Sequence, residues 1–243
     1  MKTVFINCSP KKTFCASSYF IFLQRLFVRG RKVTEKLRSQ GDHQRILKEL
    51  ADAQAVVFCL PLYVDGVPSH VLSFLREMER FCGENKMQLD LYSISNNGFI
   101  EGGQSEPLLQ VFQNFCARSG LNWCGGIGIG GGVMLNVTRI LFFVQAGWLL
   151  LNMVLSGVQS GDFLPCSALE SFAVQSGILL FLNAGVLFYT ARMGRAVNKG
   201  AFFGKKYTRI LLPSFVFIVF ADLFFLLISI FQGGFFKGWL AKK

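Results

Sequence analysis

Negative charge is in short supply in this chain. It has 14 Asp and Glu against 25 Lys and Arg, and charged residues of both signs make up only 16%. A soluble domain carries about 25%, so a wholly water-exposed molecule is excluded. Histidine occurs twice, at His43 and His70, and none of the seven cysteines stands in a CxxC pair. Zinc ribbons, cysteine-ligated iron–sulfur clusters and His-based metal sites therefore lack their ligands. The odd cysteine count, scattered over apolar segments, suits a reducing compartment better than a disulfide framework. Met1–Cys8 also lacks the charged and apolar regions of a signal peptide. Apolar surface, by contrast, is plentiful: 52% of residues are hydrophobic and Phe alone fills 27 positions. That excludes disorder.

Charge divides the chain into two materials. Residues 1–139 hold 16 of the Lys and Arg and 11 of the Asp and Glu, whereas residues 140–243 hold 9 and 3. The basic balance is not a nucleic-acid signature, because no Lys/Arg stripe with interleaved aromatics accompanies it. Three apolar runs fill the second part: 140–157, 172–191 and 210–231, the last broken by Asp222. About 20 apolar residues at ~1.5 Å rise cross a ~30 Å hydrocarbon core. None of the runs shows a polar face of helical period, and helices apolar all round belong in lipid or a large core. The expectation is an all-α membrane domain, 136–243, of about three helices. Six basic residues between Arg192 and Arg209 read as a loop retained in the cytoplasm. A cell-membrane, multi-pass protein with residues 1–135 in the cytoplasm follows, although Lys237, Lys242 and Lys243 then fall outside.

Residues 1–135 read as alternating strands and helices. Lys2–Cys8, Lys32–Leu37, Ala55–Leu60, Gln88–Ser95 and Leu121–Ile129 are the strands. Ser17–Val28, His43–Ala53, Pro68–Phe81 and Pro107–Ser119 are the helices between them. The continuous apolar run AVVFCL suits a strand buried on both faces. Strands alternating with helices give a three-layer, doubly wound, parallel sheet, here of five strands. In such sheets ligands bind beyond the carboxyl ends of the strands, where the strand order reverses. The loops there, Ser9–Ser18, Pro61–Pro68 and Ser95–Gln104, are rich in Gly, Ser, Asn, Asp or Pro. His70, just inside the third helix, reads as a surface residue. Gly126-x-Gly128-x-x-Gly131 matches a dinucleotide fingerprint in form only. It lies in the last strand, and no βαβ unit with an acidic residue follows it.

At these loops the sequence resembles the flavodoxin-like NAD(P)H-dependent FMN reductases and quinone reductases. The likeness covers residues 1 to about 135. It rests on Ser9-Pro10-Lys11-Lys12 with Ser17-Ser18, on Pro61-Leu62-Tyr63, and on Asn97-Gly98 with Gly102-Gly103-Gln104. The resemblance implies FMN as cofactor and NAD(P)H as co-substrate. Ser9, Lys11, Lys12, Ser17 and Ser18 would hold the phosphate at a helix N-terminus, a natural anion site. Pro61, Leu62, Tyr63 and Val64 would lie along one edge of the isoalloxazine, and Asn97, Gly98, Gly102 and Gly103 would close the other. No catalytic acid–base residue is demanded, since the flavin carries the chemistry. Implied partners are the lipid bilayer, a small-molecule electron acceptor such as a quinone or a redox partner protein, and a second copy in a homodimer. Two alternatives stay open. One is a tethered FMN-binding or electron-carrier module without turnover, and the other gives the membrane part its own function through Asp222.

Overall fold

The computed structural model describes residues 1–11, 15–63, 66–160, 163 and 165–231; Lys12 and Val64 lie outside these. The expected five strands and four helices all form, within a few residues of their predicted ends. They are β1 (Lys2–Asn7), α1 (Ala16–Phe27), β2 (Arg31–Lys36), α2 (His43–Leu50), β3 (Ala55–Pro61), α3 (Ser69–Asn85), β4 (Asp90–Asn96), α4 (Glu106–Ser119) and β5 (Asn122–Gly130). Gly120 takes the left-handed C-cap at φ 69°, as glycine beyond a helix end does.

The sheet has six strands, not five, in the order β2-β1-β3-β4-β5-β6, with all neighbours parallel. The first five follow the flavodoxin-like order 2-1-3-4-5. The sixth, β6 (Gly204–Arg209), comes from the segment expected to be a cytoplasmic loop. Its polar sequence GKKYTR suits an edge, where lysines discourage further strand pairing. Lys205 Nζ reaches Glu106 at 2.8 Å and Gln110 at 2.6 Å, and the Tyr207 hydroxyl donates to Glu106. β5 admits this neighbour through Gly125, at φ +126°, where a Cβ would stand 2.3 Å from the Gly204 carbonyl oxygen.

Two cores flank the sheet. Val4, Ile6, Val56, Phe58 and Leu60 point to the side covered by α2, α3 and α4. Phe5, Val57, Tyr92, Ile94, Ile127 and Ile129 point to the other, covered by α1 and by α7 (Ala184–Lys199). The second expected span, 172–191, is thus divided between two helices. α6 (Cys166–Leu182) has no buried residue, and α7 is bent 62° from it at Asn183. In α7, Val186, Thr190, Met193, Gly194 and Val197 are buried at helical spacing. Asn198 ties it to α1, accepting from Arg29 N at 2.7 Å and donating to Phe27 O at 2.9 Å. Basic residues Arg192, Arg195 and Lys199 therefore belong to a packed helix. The chain divides into two compact units, Met1–Ile210 and Leu211–Lys243.

The apolar helices are α5 (Gly132–Ser160), α6 and, in the second unit, α8 (Ser214–Phe231). Among the described residues one helix, Val137–Gln159, is long and apolar enough to cross a membrane. The count is two if α6 and α7 are taken as one broken span, but the packing of α7 on α1 argues against that. α5 and α6 form a hairpin inserted between β5 and α7, with Phe142 and Phe172 in ring contact at 6.0 Å.

The link from α7 to β6 is pinned by Tyr92, fully buried, whose hydroxyl donates to Ala201 O at 2.9 Å. Burial, reinforced by Cys124 and Asp90, pushes its phenol well above the ordinary value near 10. A group whose pKa is raised on folding stabilises the protein below its unfolded pKa and loses that contribution as pH climbs. Stability should therefore fall above pH ~10. Urea midpoints across that range should show a shallower fall for Tyr92→Phe, and a loss of about 1–3 kcal/mol at neutral pH from the orphaned carbonyl.

Candidate functional site

The parallel sheet brings the loops after β1, β3 and β4 to one edge. β1 and β3 are neighbours there and the chain crosses to opposite faces, which is the switch point of this topology. A cavity of about 190 Å³ opens at that point. Ser9, Lys11, Cys15, Ala16 and Ser17 line it from the first loop, Pro61, Leu62 and Tyr63 from the second, and Asn96, Asn97 and Gly98 from the third. Gly132, the first residue of α5, completes the wall.

Most expected site residues meet here: Ser9, Lys11, Ser17, Pro61, Leu62, Tyr63, Asn97 and Gly98 share the one cavity. Ser18 is not among the lining residues; its hydroxyl accepts from Asn7 Nδ2 at 2.8 Å and lies 2.9 Å from Cys15 Sγ. Gly102 is seated under the sheet edge, where a Cβ would come within 2.4 Å of the Gly128 and Thr208 carbonyl oxygens. It makes room for the turn against β5 and β6. Gly103 faces open space. His70 is not a bare surface residue, because its Nε2 lies 2.9 Å from Cys8 O.

The sequence reading missed Cys15, Asn96 and Gly132. Cys15 is the N-cap of α1, in extended geometry without a side-chain cap. Burial raises its thiol, but hydrogen bonds with Ser18, Asn7 and Ser9 outweigh that and leave it below the ordinary value of 9.0. A cysteine at a helix N-terminus flanked by Ser and Asn could have been flagged from that pattern alone. Burial, with Cys15 next, raises the Tyr63 phenol, keeping it a neutral donor. Asn97 is 3% exposed and donates to Glu101 O and Ser105 Oγ, fixing the third loop. Among the described residues its own Oδ1 has no partner, and neither has that of Asn96.

Ser9, Lys11 and Ser17 line the cavity beside the N-terminus of α1, and hydroxyls, an ammonium and free helix amides are the groups that anions bind. Pro61, Leu62 and Tyr63 line it from the second loop, with Tyr63 43% exposed. No cluster of three or more potential metal ligands occurs among the described residues.

No protein-family model matches the chain, and no curated protein matches its sequence. Solved structures do resemble it. The Trp repressor binding protein from Bacillus subtilis superposes with TM-score 0.45 at 14% identity, over 53% of this chain and 84% of that one. An NADPH-quinone reductase from P. pentosaceus gives 0.44 at 13%, over 54% and 86%. An FMN-dependent NADH-azoreductase from Bacillus anthracis, solved in complex with FMN, gives 0.35 at 13%, over 49% and 82%.

Proposed function

We propose that this chain is a membrane-attached flavoprotein oxidoreductase that binds FMN at the switch-point cavity. NAD(P)H is the donor and a quinone, another small acceptor or a redox partner protein receives the electrons. One observation carries the reading: a single cavity at the switch point is lined by Ser9, Lys11 and Ser17 beside a helix N-terminus and by Pro61, Leu62 and Tyr63. The donor set fits the cofactor's phosphate end. Ser9, Ser17 and the first amides of α1 would bond the phosphate, with Lys11 adding charge. About 190 Å³ is below the roughly 300–1,000 Å³ of a pocket that encloses a whole ligand. The enclosed part therefore suits the phosphate and ribityl chain, and the ring would lie outward over Pro61–Tyr63.

When bound, the flavin supplies the two-electron chemistry between nicotinamide and acceptor. The chain's own residues bind and orient. Tyr63 shields one face, Leu62 excludes water behind it, and Asn97 holds the third loop in place. The apolar hairpin and α8 support membrane attachment by composition and exposure.

Absorbance tests the reading. The full chain purified in detergent should carry flavin bands that bleach on adding NAD(P)H and return with a quinone. Flavin bands that NAD(P)H leaves unbleached would favour the carrier reading. A colourless protein that takes up no added FMN would refute both.

A further inference from the structure

The α5–α6 hairpin is not an appendage at the chain's end, because folded structure lies on both sides of it. α5 begins two residues after β5 ends. Its first turns are seated in the domain: Leu135 and Thr138 are buried, and Arg139 stacks over the Tyr19 ring at 4.6 Å. Beyond Arg139 no charged residue occurs before Asp162, and the apolar side chains are largely exposed. The hairpin returns to α7 at the same edge, where Gly185 lies against Thr208 and the Arg209 carbonyl. α7 then runs to the opposite edge, and its C-terminal Gly200 meets Asp90 at the start of β4. Both feet of the hairpin therefore stand at the carboxyl edge of the sheet. One folded unit cannot be divided by a bilayer, so both feet lie on one side of it.

That edge also carries the candidate cavity, which Gly132 lines at the foot of α5. Seven residues separate Gly132 from Arg139, a rise of about 10 Å. The same edge presents Tyr63 and Phe99, 43% and 60% exposed, with Lys11 and Arg209 nearby in the fold. Exposed aromatics and basic side chains are the residues of a headgroup layer. Within the hairpin the polar residues Gln145, Asn152, Ser171 and Gln175 line the groove between its helices, leaving apolar surface outward, as packed membrane helices arrange themselves.

We propose that the carboxyl edge of the sheet is a bilayer-docking face. The hairpin holds the mouth of the cavity in the anionic headgroup layer, so ligands reach it from the lipid–water interface and lipid-partitioning ones are favoured. The opposite edge, with Phe202 at 75% exposure and Lys199, faces water. This rests on the membrane part of the function proposed above, and not on its flavin.

The full chain carrying Cys15→Ser and Cys166→Ser, so that neither the cavity cysteine nor the exposed one takes the label, would be reconstituted into phosphatidylcholine–phosphatidylglycerol vesicles. An environment-sensitive fluorophore is attached at Phe99→Cys or at Phe202→Cys, with Tyr63→Cys and Lys199→Cys as a second pair. Lipids spin-labelled at the headgroup should quench the Phe99 and Tyr63 positions several-fold and leave Phe202 and Lys199 unchanged. Equal quenching at both edges, quenching only at Phe202 and Lys199, or quenching at none would overturn the proposal. Flotation read on the same samples separates the cases. Protein that fails to float refutes the membrane reading itself, whereas floating protein with the wrong pattern refutes only the docking face.

Discussion

A chain ending at Gly131 should fail to fold, whereas one ending at Ile210, with residues 140–182 replaced by a flexible linker, should fold and remain in solution. The first lacks α7 and β6. Val186, Met193 and Val197 are 0–1% exposed, and burying each contributes about 1.5–3 kcal/mol. Their sum approaches the roughly 5–15 kcal/mol that stabilises a whole domain. Their loss would also bare Tyr92, Ile127 and Ile129, and would strip β5 of its neighbour along Gly125–Gly130. The second chain keeps every buried contact of the sheet. Its linker has only to join Arg139 to Asn183 at one edge, and about 10 residues reach up to ~33 Å. Circular dichroism, sedimentation and urea unfolding report the outcome. A truncated chain that is monomeric and unfolds cooperatively would show that α7 and β6 are dispensable.

That contrast marks what was legible in the sequence. β1 and β3 are continuous apolar runs that only a doubly covered strand accommodates, so the sheet and its switch-point loops were readable. α7 was not, because a hydropathy window averages over helical phase. Residues 172–191 carry no charge, yet the run straddles the Asn183 bend. The stripe at 186, 190, 193, 194 and 197 is a soluble-helix pattern lying half outside it. β6 was hidden by its own edge protection, since Lys205, Lys206 and Arg209 gave it the look of a charged loop. At the site, eight residues could be named because loop position constrains them. Ser18 and Gly102 share that loop chemistry, but the hydroxyl's bonds to Asn7 and Cys15 and the packing of Gly102 against Gly128 and Thr208 are not encoded in any spacing.

The double substitution Lys11→Ala with Ser17→Ala should weaken FMN binding by roughly a hundredfold to ten-thousandfold. Each contact to the charged phosphate contributes about 1.5–3 kcal/mol, and every ~1.4 kcal/mol is tenfold in Kd. The fold should survive, because Lys11 is exposed and the Ser17 change removes a single hydroxyl. Ser18→Ala is the telling control. Its hydroxyl serves Asn7 and Cys15, not the cavity, so FMN affinity should stay within a few-fold. What should change is Cys15, whose thiol loses a bond that holds it below its ordinary value. With Cys166→Ser in place, Cys15 alkylation should then move to higher pH, because the thiolate is the reactive form. Added FMN should slow that alkylation in the parent chain, since Cys15 lines the same wall as Ser17. It should give little protection in the Lys11/Ser17 variant at the same FMN concentration. Isothermal titration and timed alkylation read the two effects independently. If Ser18→Ala weakens FMN as much as the double variant, or FMN leaves Cys15 equally reactive, the phosphate is bound elsewhere.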